Sequence, residues 1–326
     1  VALRLKHFKG NNNVGSNQEI ANAPVQPGVV RQPAGDRRQA IIALLGAALF
    51  WSTSFVTTKI ALTDTGPLTL GTLRFLIAAA LLGLIGLVTR RIEYTPPKDI
   101  LRFGIGGILG ITAYQALQNI GVQLSSAADA TLLVASYPAI TMLVEALLMH
   151  TRIAPVRFVG VGITFAGVYL VVQQTAGAGG SSHLLGDVLL LLTGVLWALY
   201  NFGTRDVVQR YSMLTVIFWQ TIIGAIAFIP LALLESSTWQ PISTGSLLSI
   251  VYMSVFCSIA AFLLYARGLK SLDPGSAVSL MNLVPVFGLI LAAVGLGESI
   301  NLAQVAGGVI VIAGVALTVQ TKARAS

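Results

Sequence analysis

Charge is what this sequence has least of. Only 10% of its 326 residues are Asp, Glu, Lys or Arg, against about 25% in soluble domains. Too few charges remain to cover a water-facing surface of this length, so a soluble globular fold is excluded. Cysteine occurs once, at Cys257, which excludes a disulfide framework within the chain. Inside an apolar run it reads as a small packing residue. The three histidines, His7, His150 and His183, fall in a tail and two connections; without convergent spacing they predict no metal site. There is no G-x-x-x-x-G-K-[ST] loop to cradle a nucleotide, no H-E-x-x-H pair and no G-x-S-x-G elbow. Energy from nucleotide hydrolysis, the common hydrolase chemistries and a bound cofactor are therefore not expected, and the chain reads as a non-enzyme.

Apolar residues are abundant instead, at 55% of the chain. With about 20 residues needed per helical span, the runs predict helices near 40–62, 67–88, 99–123, 126–149 and 155–173. A second set lies near 184–208, 212–234, 246–270, 275–297 and 302–320. Ten spans place both termini on one side. Eighteen of the 20 Lys and Arg residues lie in the tails or at the even-to-odd connections. The opposite connections, around Asp64, Ser125, Ala178, Glu235 and Glu298, carry none, so the positive-inside rule sets both termini in the cytoplasm. The net charge of +8 is thereby dispersed over short membrane-flanking loops, which argues against nucleic acid as a partner and for the lipid bilayer. Residues 1–38, rich in Asn, Gln, Gly and Pro, read as a disordered cytoplasmic tail rather than a signal peptide.

The chain repeats itself. Trp51 recurs as Trp197, Thr58 as Thr204, Lys59 as Arg205 and Thr69 as Thr215; after a one-residue slip, Gly121 matches Gly268, Pro138 Pro285, Gly160 Gly307 and Gly167 Gly314. Because each copy holds five spans, an odd number, the copies enter the bilayer in opposite orientations. The expected fold is all-α: a polytopic membrane protein of ten transmembrane helices in two inverted five-helix repeats. Its expected segments are a tail at 1–38, repeats at 39–174 and 184–321, a linker at 175–183 and a second cytoplasmic tail at 322–326.

Lys59 and Arg74 are the two basic residues left inside apolar spans, where each costs about 2.5–3.5 kcal/mol on insertion scales and demands a partner or water. They read either as a cluster that attracts a substrate carboxylate, or as a snorkelling lysine and an arginine tied to carbonyls. Asp129 lies at similar depth to Lys59 and is expected to close the outer side with it. Glu145, the acid deepest in an apolar run, is expected to meet Arg205 at the inner side and is the proton-coupling candidate. Amides and aromatics supply further candidates for a substrate path: Trp51, Tyr114, Gln118, Asn119, Tyr137, Trp197, Tyr200, Asn201, Trp219 and Asn282, since amides in lipid must face partners or a cavity. Pro138 and Pro285 interrupt equivalent helices and read as hinges or packing kinks. The glycines of the fifth and tenth spans read as surfaces for close helix contact.

The segments FWSTSFVTTKIAL (50–62), PLTLGTLRF (67–75), SYPAI (136–140), LKSLDPGSAVSLMNLVPVFGLILAAVGLGESI (269–300) and AGGVIVIAGVAL (306–317) resemble the EamA-type, ten-helix transporters of the drug/metabolite transporter superfamily. The resemblance covers nearly all of residues 40–320. It implies a ten-helix bundle with a central cavity between inverted halves, exporting or exchanging small amphipathic metabolites such as amino acids. The family's W-x-x-x-F-x-x-x-K lysine falls on Lys59, its second-helix arginine on Arg74, and its second-half Gly-Glu pair on Gly297 and Glu298. In the first half Thr151 stands where that glutamate would be. The expected partners are a small-molecule substrate and lipid, with the chain a monomer or, as the alternative, a dimer, in the cytoplasmic membrane. A nucleotide-sugar or sugar-phosphate exchanger on the same fold is the nearest rival, though it would call for more cations in the cavity. A non-transporting receptor or assembly factor is the other.

Overall fold

The computed structural model describes residues 34–150, 152–272, 277 and 280–320, with side chains except at 34–36, 174–179 and 319–320. Thr151, most of the tail expected at 1–38 and the whole of that at 322–326 lie outside the described residues. Among the described residues there is no strand. Helix α1 spans Ala34–Ala61, α2 Pro67–Thr89 and α3 Pro97–Leu124. Helix α4 is broken into Ala127–Val134 and Tyr137–Met149, and α5 is Pro155–Gln173. The second set is α6 Gly180–Arg210, α7 Met213–Leu233, α8 Thr244–Leu269, α9 Leu283–Leu296 and α10 Leu302–Gln320. Seven of these are long and apolar enough to cross a membrane, eight with the bent α4, and α9 and α10 are shorter apolar helices. The protein is an all-helical, polytopic membrane protein.

Local chemistry explains the boundaries. Pro67, Pro97 and Pro155 stand in the first turns of α2, α3 and α5, where a missing N–H goes unneeded. Gly180 separates α5 from α6 at φ 71° and ψ −163°, a conformation that a Cβ would obstruct. The break in α4 falls at Ala135 and Ser136, bends the helix by 44° and precedes Pro138, which cannot donate back across it.

Each half's first helix packs on the other's third and fourth: α1 lies against α8 and α9, and α6 against α3 and α4. The second helices pair with each other, as do the fifth. The contacts at the helix ends repeat the same exchange. Glu235, after α7, accepts from Leu68 N and Thr69 N at the start of α2 (3.0 and 2.7 Å); Glu93, after α2, accepts from Ser212 N (2.9 Å) and donates its own N–H to Thr215 at the start of α7. Asp64, after α1, accepts from Ser246 Oγ of α8 at 2.6 Å. Its counterpart Arg210, at the end of α6, donates to both oxygens of Asp99 in α3 at 3.0 and 3.1 Å. The joint is conserved in place while its chemistry is exchanged.

Helices α5 and α10 meet at glycines. A Cβ on Gly167 would stand 2.7 Å from the carbonyl oxygen of Gly307, and one on Gly160 2.9 Å from that of Gly314. Gly162, by contrast, faces open space. The main apolar core lies where α1, α4 and α9 converge, around Ala48, Phe55, Leu132, Leu133, Val284 and Ala292.

Candidate functional site

Two departures from α-helical winding frame the interior. Residues Ile108–Ala113 of α3 and Met253–Ala260 of α8 are wound as π-helix, a widened turn frequent at functional sites. They occupy equivalent places in the two halves. Thr112 holds the first of them by donating to Gly224 O of α7 at 3.0 Å.

Between them lies a cavity of ≈ 40 Å³ lined by Arg74, Gln115, Trp197, Tyr200, Gln220 and Ser258, among others. Arg74 is 4% exposed. Its Nε donates to Ser258 Oγ at 2.8 Å and one terminal nitrogen reaches Gln115 Oε1 at 3.4 Å. Among the described residues no carboxylate lies within salt-bridge distance of it. Gln220, the repeat mate of Arg74, faces the same cavity and is also buried. Tyr200 donates its hydroxyl to Gln220 Oε1 at 3.0 Å, and the amide nitrogen has no partner. Gly110 makes room for Tyr200, whose ring would lie 2.4 Å from a Cβ there. A larger cleft of ≈ 260 Å³ lies at the surface between Asp64 and Trp239, and Arg74 does not line it.

An aromatic row backs this wall. Trp197 stands 5.3 Å from Tyr200 and 5.9 Å from Tyr114, which is 6.3 Å from Tyr137. Trp51, the mate of Trp197, packs instead on Phe262 and Tyr265 of α8 at 5.3 and 5.4 Å. Gln118 and Asn119 are buried with an unpartnered oxygen each, Asn119 donating to Pro67 O at 3.0 Å. Trp219 donates to Thr95 at the end of the bundle rich in Lys and Arg, outside the cavity. Asn201 is exposed, and Asn282 precedes α9, where Pro285 sits in the first turn. Pro138 holds the same place after the α4 break.

The end opposite the basic one is bolted by polar contacts. Lys59 donates to Ser125 O at 2.5 Å and faces Glu298 and Asp129 without touching either as an ion pair. Asp129 is fully buried; Gln304 of α10 donates to its Oδ1 at 2.8 Å, and His183 Nε2 lies 3.0 Å from its Oδ2. Ser125 donates to Asp187 at 2.5 Å. Glu298 accepts from Ala127 N and Ala128 N at 2.9 Å each, an anionic cap on α4.

His183 thus stands in the first turn of α6 rather than in a loop, and Asp129, His183 and Asp187 bring ligand-type atoms within 4.8 Å of one another. Protein donors already occupy both oxygens of Asp129 and one of Asp187, so the trio reads as a hydrogen-bonded bolt. Sequence spacing could not reveal it, because Asp129 comes from α4 and His183 and Asp187 from α6, more than 50 residues on. At the basic end Glu145 and Arg205 are both exposed and form no ion pair among the described residues.

The EamA-like transporter family model matches twice, over residues 38–173 and 184–320. The chain belongs to this family. An uncharacterized transporter of Archaeoglobus fulgidus is 31% identical over 83% of this chain and 93% of its own. A probable terminal-alkyne amino-acid exporter of Streptantibioticus cattleyicolor is 26% identical over 86% and 93%. A crystal structure at 21% identity covers 89% of this chain and 99% of its own with a TM-score of 0.62, a likeness of fold. This EamA-family protein is a membrane transporter and not an enzyme, and its partners are a small molecule and lipid.

Proposed function

We propose that the protein is a secondary transporter that exports or exchanges small organic metabolites, amino acids or other amphipathic solutes, across the cytoplasmic membrane by alternating access, with both termini cytoplasmic. The observation that carries this reading is the reciprocal joining of the halves: each end of the bundle is built from equivalent contacts between opposite copies. Equivalent contacts of inverted copies give two related conformations, one open at each end. The polar bolt closes one end; at the other, where Arg210 pairs with Asp99, Glu145 and Arg205 form no ion pair among the described residues. At ≈ 40 Å³ the central cavity holds water rather than a metabolite, so admission requires the halves to part. The amino-acid exporter among the relatives favours that substrate class.

The test is counterflow in proteoliposomes preloaded with a panel of amino acids, nucleobases and cationic drugs, at two pH gradients. Saturable exchange of at least one class is the expected outcome. Folded, inserted protein that exchanges nothing on the panel would overturn the transport reading.

A further inference from the structure

The central cavity is charged on one side only, and this points to the substrate group it takes. Arg74 is the one charged residue among those lining it. A buried guanidinium without a carboxylate partner is costly in a membrane protein, and here its neighbours are neutral: Ser258, Gln115 and the face of Phe75 at 5.2 Å. Gln220 lines the same cavity, and its amide nitrogen, buried beside Gly106 at the cavity's edge, is a second donor without a partner. The duplication places these two residues at equivalent positions of opposite halves, so one anion can engage both copies at once. Arg and an amide nitrogen form a charge-assisted donor set for a carboxylate. Among the described residues, none lining the cavity offers the converse, an anion for a substrate ammonium. Trp197, Tyr200 and Phe75 give the remaining wall an aromatic character suited to an apolar body.

We propose that this cavity binds small monocarboxylates through Arg74 and Gln220, with an apolar or aromatic body against Trp197 and Tyr200, and that an amino group on the substrate is not required. This deepens the transport reading and rests on it: amino acids are accepted for their carboxylate, and carboxylic acids lacking the amine compete with them. A phosphate-bearing substrate, with two or more charges, would find only one cation.

A matched series tests it: phenylalanine, 3-phenylpropanoate and 2-phenylethylamine, added to the purified full-length protein, with binding read as a shift in melting temperature. Both carboxylates should stabilise the protein and the amine should not. Arg74→Gln should abolish the shift, Arg74→Lys should keep part of it, and Gln220→Leu should weaken apparent affinity about tenfold. If Arg74→Gln does not fold, the other two variants carry the comparison. The amine binding as well as the acids, the acids binding unchanged without Arg74, or no stabilisation by either acid would each overturn the proposal. Counterflow separates this from the broader reading. Exchange of panel solutes with no preference for carboxylates removes the carboxylate site and leaves transport. Arg74-dependent binding without any exchange leaves the site and removes transport.

Discussion

Asp64 and Arg210 show how a single position is used twice with different chemistry. The Asp64 carboxylate accepts from the Ser243 hydroxyl, from Ser246 Oγ at 2.6 Å and from Ser243 N at 3.1 Å. The Ser243 hydroxyl first, then that of Ser246, hold its carboxyl below the ordinary carboxylate range. A carboxyl depressed on folding adds stability that is fully present above its unfolded value, about 3.9, and is lost as pH falls through the lower folded value. Asp64→Asn should therefore flatten the acid limb of the melting temperature between about pH 5 and pH 3, measured in detergent. An unchanged acid limb would show that Asp64 does not carry it. At Arg210 the same joint is a bidentate pair to Asp99, joined by the Tyr211 hydroxyl at 2.7 Å. There the partner carboxylate is on α3 instead of α1, so the first helix of each half is tied to the third of the other by either charge arrangement.

Helices were the most legible level of the sequence, because apolar runs and the positions of Lys and Arg state both where spans lie and which ends they share. Pro138 foretold the broken α4, and its duplicate Pro285 falls in the first turn of α9. The π-wound stretches were not legible: Ile108–Ala113 and Met253–Ala260 are small and apolar, like the turns beside them, and the extra residue per turn depends on contacts such as Thr112 with Gly224 O. Arg74 and Lys59 were visible as buried charges, and the exchange of Arg74 for Gln220 was visible as a mismatch between copies. The convergence of Arg74 and Gln220 on a cavity, and the arrival of His183 and Gln304 at Asp129, depend on helix packing that no local pattern encodes. The paired glycines were read correctly as close contacts except at Gly162. The α5–α10 seam makes this testable. Gly167→Val inserts atoms 2.7 Å from a backbone oxygen, and overpacking of this kind costs about 1–3 kcal/mol. A clear fall in melting temperature is expected for Gly167→Val, with little change for Gly162→Val. Equal effects would mean that the seam is not set by glycine.

Across the whole molecule the two ends are built alike but held unequally, and that inequality predicts a direction of motion. The bolt crosses between halves at Gln304 to Asp129, Glu298 to α4, and Ser125 to Asp187. Each is a hydrogen bond to a charged group, worth about 1.5–3 kcal/mol, and a loss that acts on one conformation alone shifts its population by the full difference. Thr131 lies one turn deeper, fully buried between α4 and Gly288 of α9, so it becomes accessible only if these helices separate. With Cys257→Ser removing the sole native thiol, Thr131→Cys should react slowly with a membrane-impermeant maleimide. Adding Glu298→Gln or Gln304→Leu should accelerate labelling by at least about tenfold, since each 1.4 kcal/mol is a factor of ten and a lost bond here is worth about 1.5 kcal/mol or more. A solute that the carrier exchanges should change the same rate without any substitution. Folded protein whose labelling responds to neither the variants nor the solute would mean that α4 and α9 form a fixed seam, and that opening, where it occurs, runs along another interface between the halves.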